Sequence, residues 1–227
     1  AHYGAAEEPQ TGESLLALAL DHYGRLDAVI ANAGISEAAT FSKQTPETIE
    51  RNININLLGT AYLLLPTFRY LYQQSSGHIL VSTSAAGLFG EHGLPAYSAA
   101  KAGLIGLMQS LAQEGRSHRV FVNAIAPFAR TQMTEATLTV ASVSGLDPDA
   151  VAPIVARLIA ADTEISGEII IAAAGKVARA TMMCSDADKV DGYEDSHLDR
   201  ALADLVAKPV ENRHRSAVGM FKTFMSS

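Results

Sequence analysis

Tyr97-Ser98-Ala99-Ala100-Lys101 sets a phenol and an ammonium four residues apart, and the reading of this stretch decides the fold. On a helix the two side chains lie on one face, about 5–6 Å apart at their Cβ atoms. An ammonium at that distance favours phenolate and draws down a pKa of about 10. A tyrosine so placed can serve as a general acid or base near neutral pH. Taken alone, the pair is also an ordinary exposed helix pair, so its surroundings carry the decision. Ser84 stands thirteen residues upstream of Tyr97, at the end of Gly77-His78-Ile79-Leu80-Val81-Ser82-Thr83-Ser84. Further back come Asn56-Leu57-Leu58-Gly59 and Asn32-Ala33-Gly34.

In this order and spacing, Asn32-Ala33-Gly34, Asn56, Ser84, Tyr97 and Lys101 resemble the short-chain dehydrogenase/reductase family. The segment from Gly77 to Ser84 looks like that family's fifth strand, ending in its catalytic serine. The likeness runs from about Thr11 to Gly175. It implies that Tyr97 exchanges a proton with a substrate carbonyl or hydroxyl. Lys101 is implied to lower the Tyr97 pKa and to hydrogen-bond the nicotinamide ribose. Ser84 would orient and polarise the substrate oxygen, and Asn56 would hold a water in a proton relay to Lys101. Asn52 and Asn54 are nearby decoys, and Ser82 is set aside as facing the other side of its strand. The cofactor implied is NAD or NADP, with Asn32, Ala33 and Gly34 along its adenosine half and Pro127 and Thr131 at its nicotinamide end. Relatives usually follow that proline with glycine, whereas this chain has Phe128, and the interval to Met133-Thr134 is one residue shorter than usual.

A subfamily likeness adds detail. Ile125-Ala126-Pro127 through Arg130-Thr131-Gln132-Met133-Thr134, then Val151-Ala152-Pro153-Ile154-Val155, resemble the (3R)-hydroxyacyl-CoA dehydrogenase domain of peroxisomal multifunctional β-oxidation enzymes. That likeness implies a 3-hydroxyacyl or steroid-like secondary alcohol as substrate. The same subfamily carries a long extension after its last strand, as this chain does from Lys176 onward.

Composition bounds the rest. The chain has 227 residues, 48% hydrophobic and 18% charged, with 17 glycines, which suits one α/β core. A net charge of −7 argues against a nucleic-acid partner, whose phosphates call for a basic face. The single cysteine, Cys184, permits no internal disulfide and fits a reducing compartment. No leader and no membrane-length apolar run are read, so the expected location is cytoplasmic, with no membrane partner. The seven histidines have no ligand spacing, and no metal site is expected.

Apolar periodicity predicts a helix over 11–23, a buried strand over 26–31 and a helix from Thr45-Pro46-Glu47 to about Gln74, kinked at Pro66. It continues with a strand over 78–83, a helix over 95–115, a strand over 119–126, a helix from Asp147-Pro148 to about Ala161 and a final strand over 167–172. Alternation of this kind predicts a Rossmann-like, doubly wound parallel sheet. The predicted domain is 1–175, followed by a helical C-terminal extension, 176–227, packed on the same domain. Apolar positions beyond one stripe on the 45–74 and 95–115 helices predict a homodimer or a homotetramer.

One expected motif is absent. A dinucleotide-binding domain normally opens with a strand, a glycine-rich turn and a helix N-terminus facing the pyrophosphate. Thr11-Gly12 is followed by Glu13-Ser14-Leu15-Leu16, and no second glycine completes the turn. The sheet is therefore expected to lack its first strands, with Ala1-His2-Tyr3 as a remnant of the third. Two readings stay open: a preceding segment supplies the turn, and the protein is an NAD(P)-dependent oxidoreductase; or the chain is a shortened, non-catalytic relative serving as an oligomerising or binding module.

Overall fold

A computed structural model describes residues 1–131, 133, 145–188, 190 and 194–226. These residues divide into two compact units, Ala1–Ala180 and Thr181–Ser227. The first unit is built on a five-stranded sheet ordered β1-β2-β3-β4-β5. The strands are β1 Ala28–Ala31, β2 Gly77–Ser82, β3 Val120–Pro127, β4 Ile169–Ala173 and β5 Lys176–Ala180. The first four run parallel, and β5 returns antiparallel on β4.

The helices that cover the sheet follow from the apolar pattern of its strands. All six residues of β2 are buried, as expected of a parallel strand covered on both faces. Its side chains alternate between two cores. Ile79 and Val81 enter a cluster with Leu64, Leu71, Ile105 and Met108, which come from α3 (Gly59–Gln74) and α5 (Pro95–Gly115). Leu80 points the other way, into a cluster with Leu158 of α6 (Ala152–Leu158). Helices on both faces of a mainly parallel sheet make the fold Rossmann-like and doubly wound. On β1, Val29 and Ala31 are buried while Ile30 between them is 44% exposed, so this strand is covered on one face among the described residues. Nothing in Ala1–Ala5 forms a strand, so the expected remnant of a third strand is not found.

The helix predicted from Thr45 to Gln74 is one continuous rod with an internal change of pitch. Thr45 caps α2 (Pro46–Ile53) by accepting the Thr48 N–H, and a π-helical turn, Asn54–Leu58, leads into α3. The irregularity falls at this turn. Pro66 sits inside α3. Having no N–H, it leaves the carbonyl one turn back, that of Tyr62, without its helical donor. Helix α1 (Pro9–Tyr23) packs on α3 beside that carbonyl, and a Cβ at Gly12 would lie 2.3 Å from the Tyr62 oxygen. Glycine is required there by close approach of two backbones.

Two further elements differ from expectation. Asp147 caps a short 3₁₀ turn, Pro148–Ala150, and α6 starts after it and ends at Leu158. The sheet continues past Gly175, because Ala174 and Gly175 take φ of 48° and 74° and reverse the chain into β5. Positive φ at both positions is the geometry of the tightest hairpin turn. In the second unit, β6 (Met183–Cys184) pairs with β7 (Asn212–Arg213), alongside helices α7 (Asp195–Ala207) and α8 (Ala217–Ser226). Among the described residues no helix is long and apolar enough to cross a membrane.

Most of the surplus apolar side chains on α3 and α5 belong to the unit's own core: Leu63, Tyr70, Leu107 and Leu111 pack against it. Leu65, at 53% exposure, does not. The α1–α3 contact gives a direct test. Gly12→Val should destabilise the protein by roughly 1–3 kcal/mol through overpacking, read by urea denaturation. A change within about 0.5 kcal/mol would mean that the two helices slide apart without cost.

Candidate active site

The carboxyl ends of β1, β2 and β3 finish together. Ala31 is in register with Val81, and Ser82 with Ile125, so Asn32, the Ser82–Ser84 stretch and Pro127 meet along one edge of the sheet. In an open parallel sheet this edge is where ligands bind. The chain leaves β2 and forms the short helix α4 (Ala85–Phe89), whose N-cap is Ser84: its Oγ accepts the Ala86 N–H at 3.2 Å. Helix α5 begins with Pro95 in its first turn, a residue with φ preset for the helix. It is held to β2 through Thr83, whose Oγ1 donates to the Lys101 carbonyl at 2.8 Å.

These contacts bring Ser84, Tyr97 and Lys101 into one cluster. Ser84 approaches Tyr97 closely enough for its hydroxyl to act on the phenol. Lys101 is 4% exposed, lies with Nζ 5.7 Å from the centre of the Tyr97 ring, and donates to the Ser82 carbonyl at 2.8 Å. Burial lowers the Lys101 pKa to about 8. The expected depression of Tyr97 by Lys101 does not prevail here. Burial raises the phenol above its ordinary value, and the Ser84 hydroxyl only opposes that rise. A half-buried ring loses more by desolvation of its anion than the serine returns.

Asn56 joins the cluster from the π turn. It is fully buried, its Oδ1 accepts the Ile35 N–H at 3.0 Å, and its Nδ2 donates to the carbonyls of Ile35 and Asn52 at 3.0 and 2.9 Å. Both amide hydrogens are thus committed to protein, and the side chain braces the segment after β1 as a neighbouring strand would. A Cβ at Gly34 would come within 2.6 Å of Asn56 Oδ1 and 3.4 Å of Lys101 Nζ, so the Asn32-Ala33-Gly34 turn, Asn56 and Lys101 are mutually packed. Asn54 is exposed; Asn52 is fully buried and serves Asn56 through its backbone carbonyl.

The dismissal of Ser82 needs correction. Residues two apart in a strand share a face, and β2 ends at Ser82, so the strand-face argument does not separate it from Ser84. Asn123 was also missed as a side chain with work to do. Its Nδ2 donates to the Ile165 carbonyl at 2.7 Å and its Oδ1 accepts the Glu168 N–H at 3.1 Å, which fixes the entry to β4. An asparagine inside an apolar strand was the available signal, since a buried amide must find partners. Pro127 is half-buried at the end of β3, and pairing continues beyond it through Phe128 N–H to the Ala172 carbonyl at 2.9 Å. Thr131 is exposed past that point, and Thr134 lies outside the described residues. No cluster of His, Cys, Asp or Glu able to hold a metal occurs among the described residues.

Comparison with known proteins shows the family of the chain. The family model for short chain dehydrogenase matches residues 5–141. A short-chain type dehydrogenase/reductase of Mycobacterium tuberculosis is 34% identical over 191 residues, covering 84% of this chain and 67% of the relative. The peroxisomal hydratase-dehydrogenase-epimerase of Saccharomyces cerevisiae is 38% identical over 175 residues, covering 77% of this chain and 19% of that longer protein. The crystal structure of a short chain dehydrogenase from Mycobacterium avium superposes with a TM-score of 0.80 at 29% identity, covering 93% of this chain and 76% of that one. The chain belongs to the short-chain dehydrogenase family, a family of oxidoreductases.

Proposed function

We propose that the protein interconverts a secondary alcohol and a ketone with NAD or NADP, on a 3-hydroxyacyl or steroid-like substrate, with Tyr97 as the acid/base. The observation that carries this reading is the gathering of Ser84 and Tyr97 beside the buried Lys101, at the ligand-binding edge of a parallel sheet. The substrate class rests on the likeness to the hydroxyacyl-CoA dehydrogenase domain and on the yeast relative's dehydrogenase name.

The residues present fit the nicotinamide-ribose half of a dinucleotide. Lys101 Nζ has three donors and gives one to the Ser82 carbonyl at 2.8 Å, so it can serve a ribose hydroxyl as well. Gly34 has no room for a side chain, since a Cβ would lie 2.6 Å from Asn56 Oδ1, so the turn that would follow the dinucleotide is held close against Asn56 and Lys101. Pro127 and Thr131 would flank the nicotinamide end, and Asn32, Ala33 and Gly34 the adenosine half. When bound, the dinucleotide supplies or accepts the hydride. In reduction the Tyr97 O–H gives its proton to the substrate oxygen while the Ser84 hydroxyl, oriented by the Ala86 N–H, donates to the same atom. Burial keeps Tyr97 protonated and ready to donate at neutral pH, and the Lys101 ammonium steadies the phenolate left behind. In oxidation the same atoms work in reverse.

Assembly is proposed as a two-fold homodimer, or a tetramer built from it, through the outer face of α3 and α5, where Leu65 stands exposed. Sedimentation equilibrium at micromolar concentration should give a dimer or tetramer, and Leu65→Glu should shift it toward monomer. A monomeric wild type defeats this proposal.

Activity and stability give two further tests. In the full-length protein, Tyr97→Phe should lower kcat by roughly 10²–10⁴-fold while NADH titration shows near-normal affinity. Retention of more than about a tenth of kcat removes Tyr97 as the acid/base. The Lys101 ammonium is disfavoured by burial, with a folded pKa of about 8 against an ordinary 10.5. Between those values the unfolded chain binds more protons, so stability rises with pH through this window and falls as pH drops back toward 8. Wild type should therefore gain stability relative to Lys101→Met from pH 8 to 10.5 in urea titrations. Parallel curves for the two proteins would show that the ammonium is not penalised by burial.

A further inference from the structure

Ser82 touches both halves of the site through one residue. Its hydroxyl donates to Asn32 Oδ1 at 2.6 Å, and its carbonyl accepts from Lys101 Nζ at 2.8 Å. The backbone pairing of β1 with β2 ends at Ala31 and Val81. The Ser82–Asn32 bond therefore extends that pairing by one step through side chains. Ser82 is 7% exposed, whereas Asn32 lies on the open side of the turn. The amide of an exposed asparagine turns freely about its last torsion unless something holds it. Here a buried hydroxyl takes the oxygen, which leaves the two N–H donors of Asn32 facing outward at the carboxyl edge of the sheet.

We infer that Ser82 is a positioning residue: it clasps Asn32 so that the amide N–H groups face the nucleoside half of a bound dinucleotide, and it ties that aim to the ammonium of Lys101 through a single peptide unit. The inference rests on the dinucleotide reading above. Ser82 itself does not touch the reacting atoms. Its loss should therefore weaken cofactor binding and spare the chemical step. A clasp acting through Asn32 must also be non-additive with removal of Asn32.

The test is a double-mutant cycle of Ser82→Ala and Asn32→Ala in the full-length protein, with NADH affinity read by fluorescence titration and kcat measured at saturating NADH. Ser82→Ala should raise the NADH Kd about tenfold and change kcat by no more than about twofold, as expected for one hydrogen bond that organises a binding group. The double variant should bind no more weakly than Asn32→Ala alone, and Ser82→Thr, which keeps the hydroxyl, should restore affinity. An unchanged Kd for Ser82→Ala, or losses that add in the double variant, overturns the inference. Should folded wild type bind no NADH, the dinucleotide reading fails, and the clasp is then read by hydrogen exchange at the Ile35 amide, which Asn56 Oδ1 holds at 3.0 Å. Faster exchange in Ser82→Ala supports the clasp, and unchanged exchange defeats it.

Discussion

The buried ammonium of Lys101 is the constraint around which the site is organised. A lysine at 4% exposure is expensive unless its donors are used, and here the Ser82 carbonyl takes one of them at 2.8 Å. That bond requires the first turns of α5 to lie against the end of β2, which the Thr83 hydroxyl secures by bonding the Lys101 carbonyl. It also limits what can pack nearby. A Cβ at Gly87 would fall 2.7 Å from the Lys101 carbonyl carbon, and one at Gly34 would crowd Nζ from the other side. Two glycines, one threonine and one serine are thus committed to placing a single charge.

Desolvation and charge compete at Tyr97, and their balance bears on direction of chemistry. The phenol is raised by burial although an ammonium lies 5.7 Å from its ring. Lys101 is itself lowered to about 8 by the same burial, so at neutral pH the site holds a neutral phenol beside an ammonium that burial disfavours. A protonated phenol suits proton donation to a carbonyl; removal of that proton is then the step for which the neighbouring ammonium is needed. The proposed alcohol–ketone interconversion requires both.

Membership of the short-chain dehydrogenase family accounts for the shape of the first unit and argues against reading the chain as a non-catalytic module. The edge strand β1 stands partly uncovered, with Ile30 at 44% exposure between two buried neighbours. Its partner β2 is buried along its whole length. The Ser82–Asn32 bond sits at the junction between these two environments, which is why a side-chain clasp there has leverage on the turn that follows β1.

Local signals were strong enough in the sequence to give α5 its bounds, Pro95–Gly115, and β2 to within a residue of each end. A proline in the first turn, a glycine at the last and an unbroken apolar strand are properties of neighbouring residues, and so is the Tyr97–Lys101 spacing, one part of the joint pattern with Asn32-Ala33-Gly34, Asn56 and Ser84 that resembles the family. The hairpin into β5 was not legible, because Ala174 adopts φ of 48° only once β4 is present to pair with Lys176–Ala180. Nor was the π turn that carries Asn56, whose amide is drawn in by Ile35, twenty-one residues away in the chain. The spacing identified Ser84, Tyr97 and Lys101 as a set. Only the folded chain decided that burial outweighs the lysine at Tyr97, and that Ser82 reaches Asn32, because desolvation and cross-strand bonds depend on residues that sequence keeps far apart.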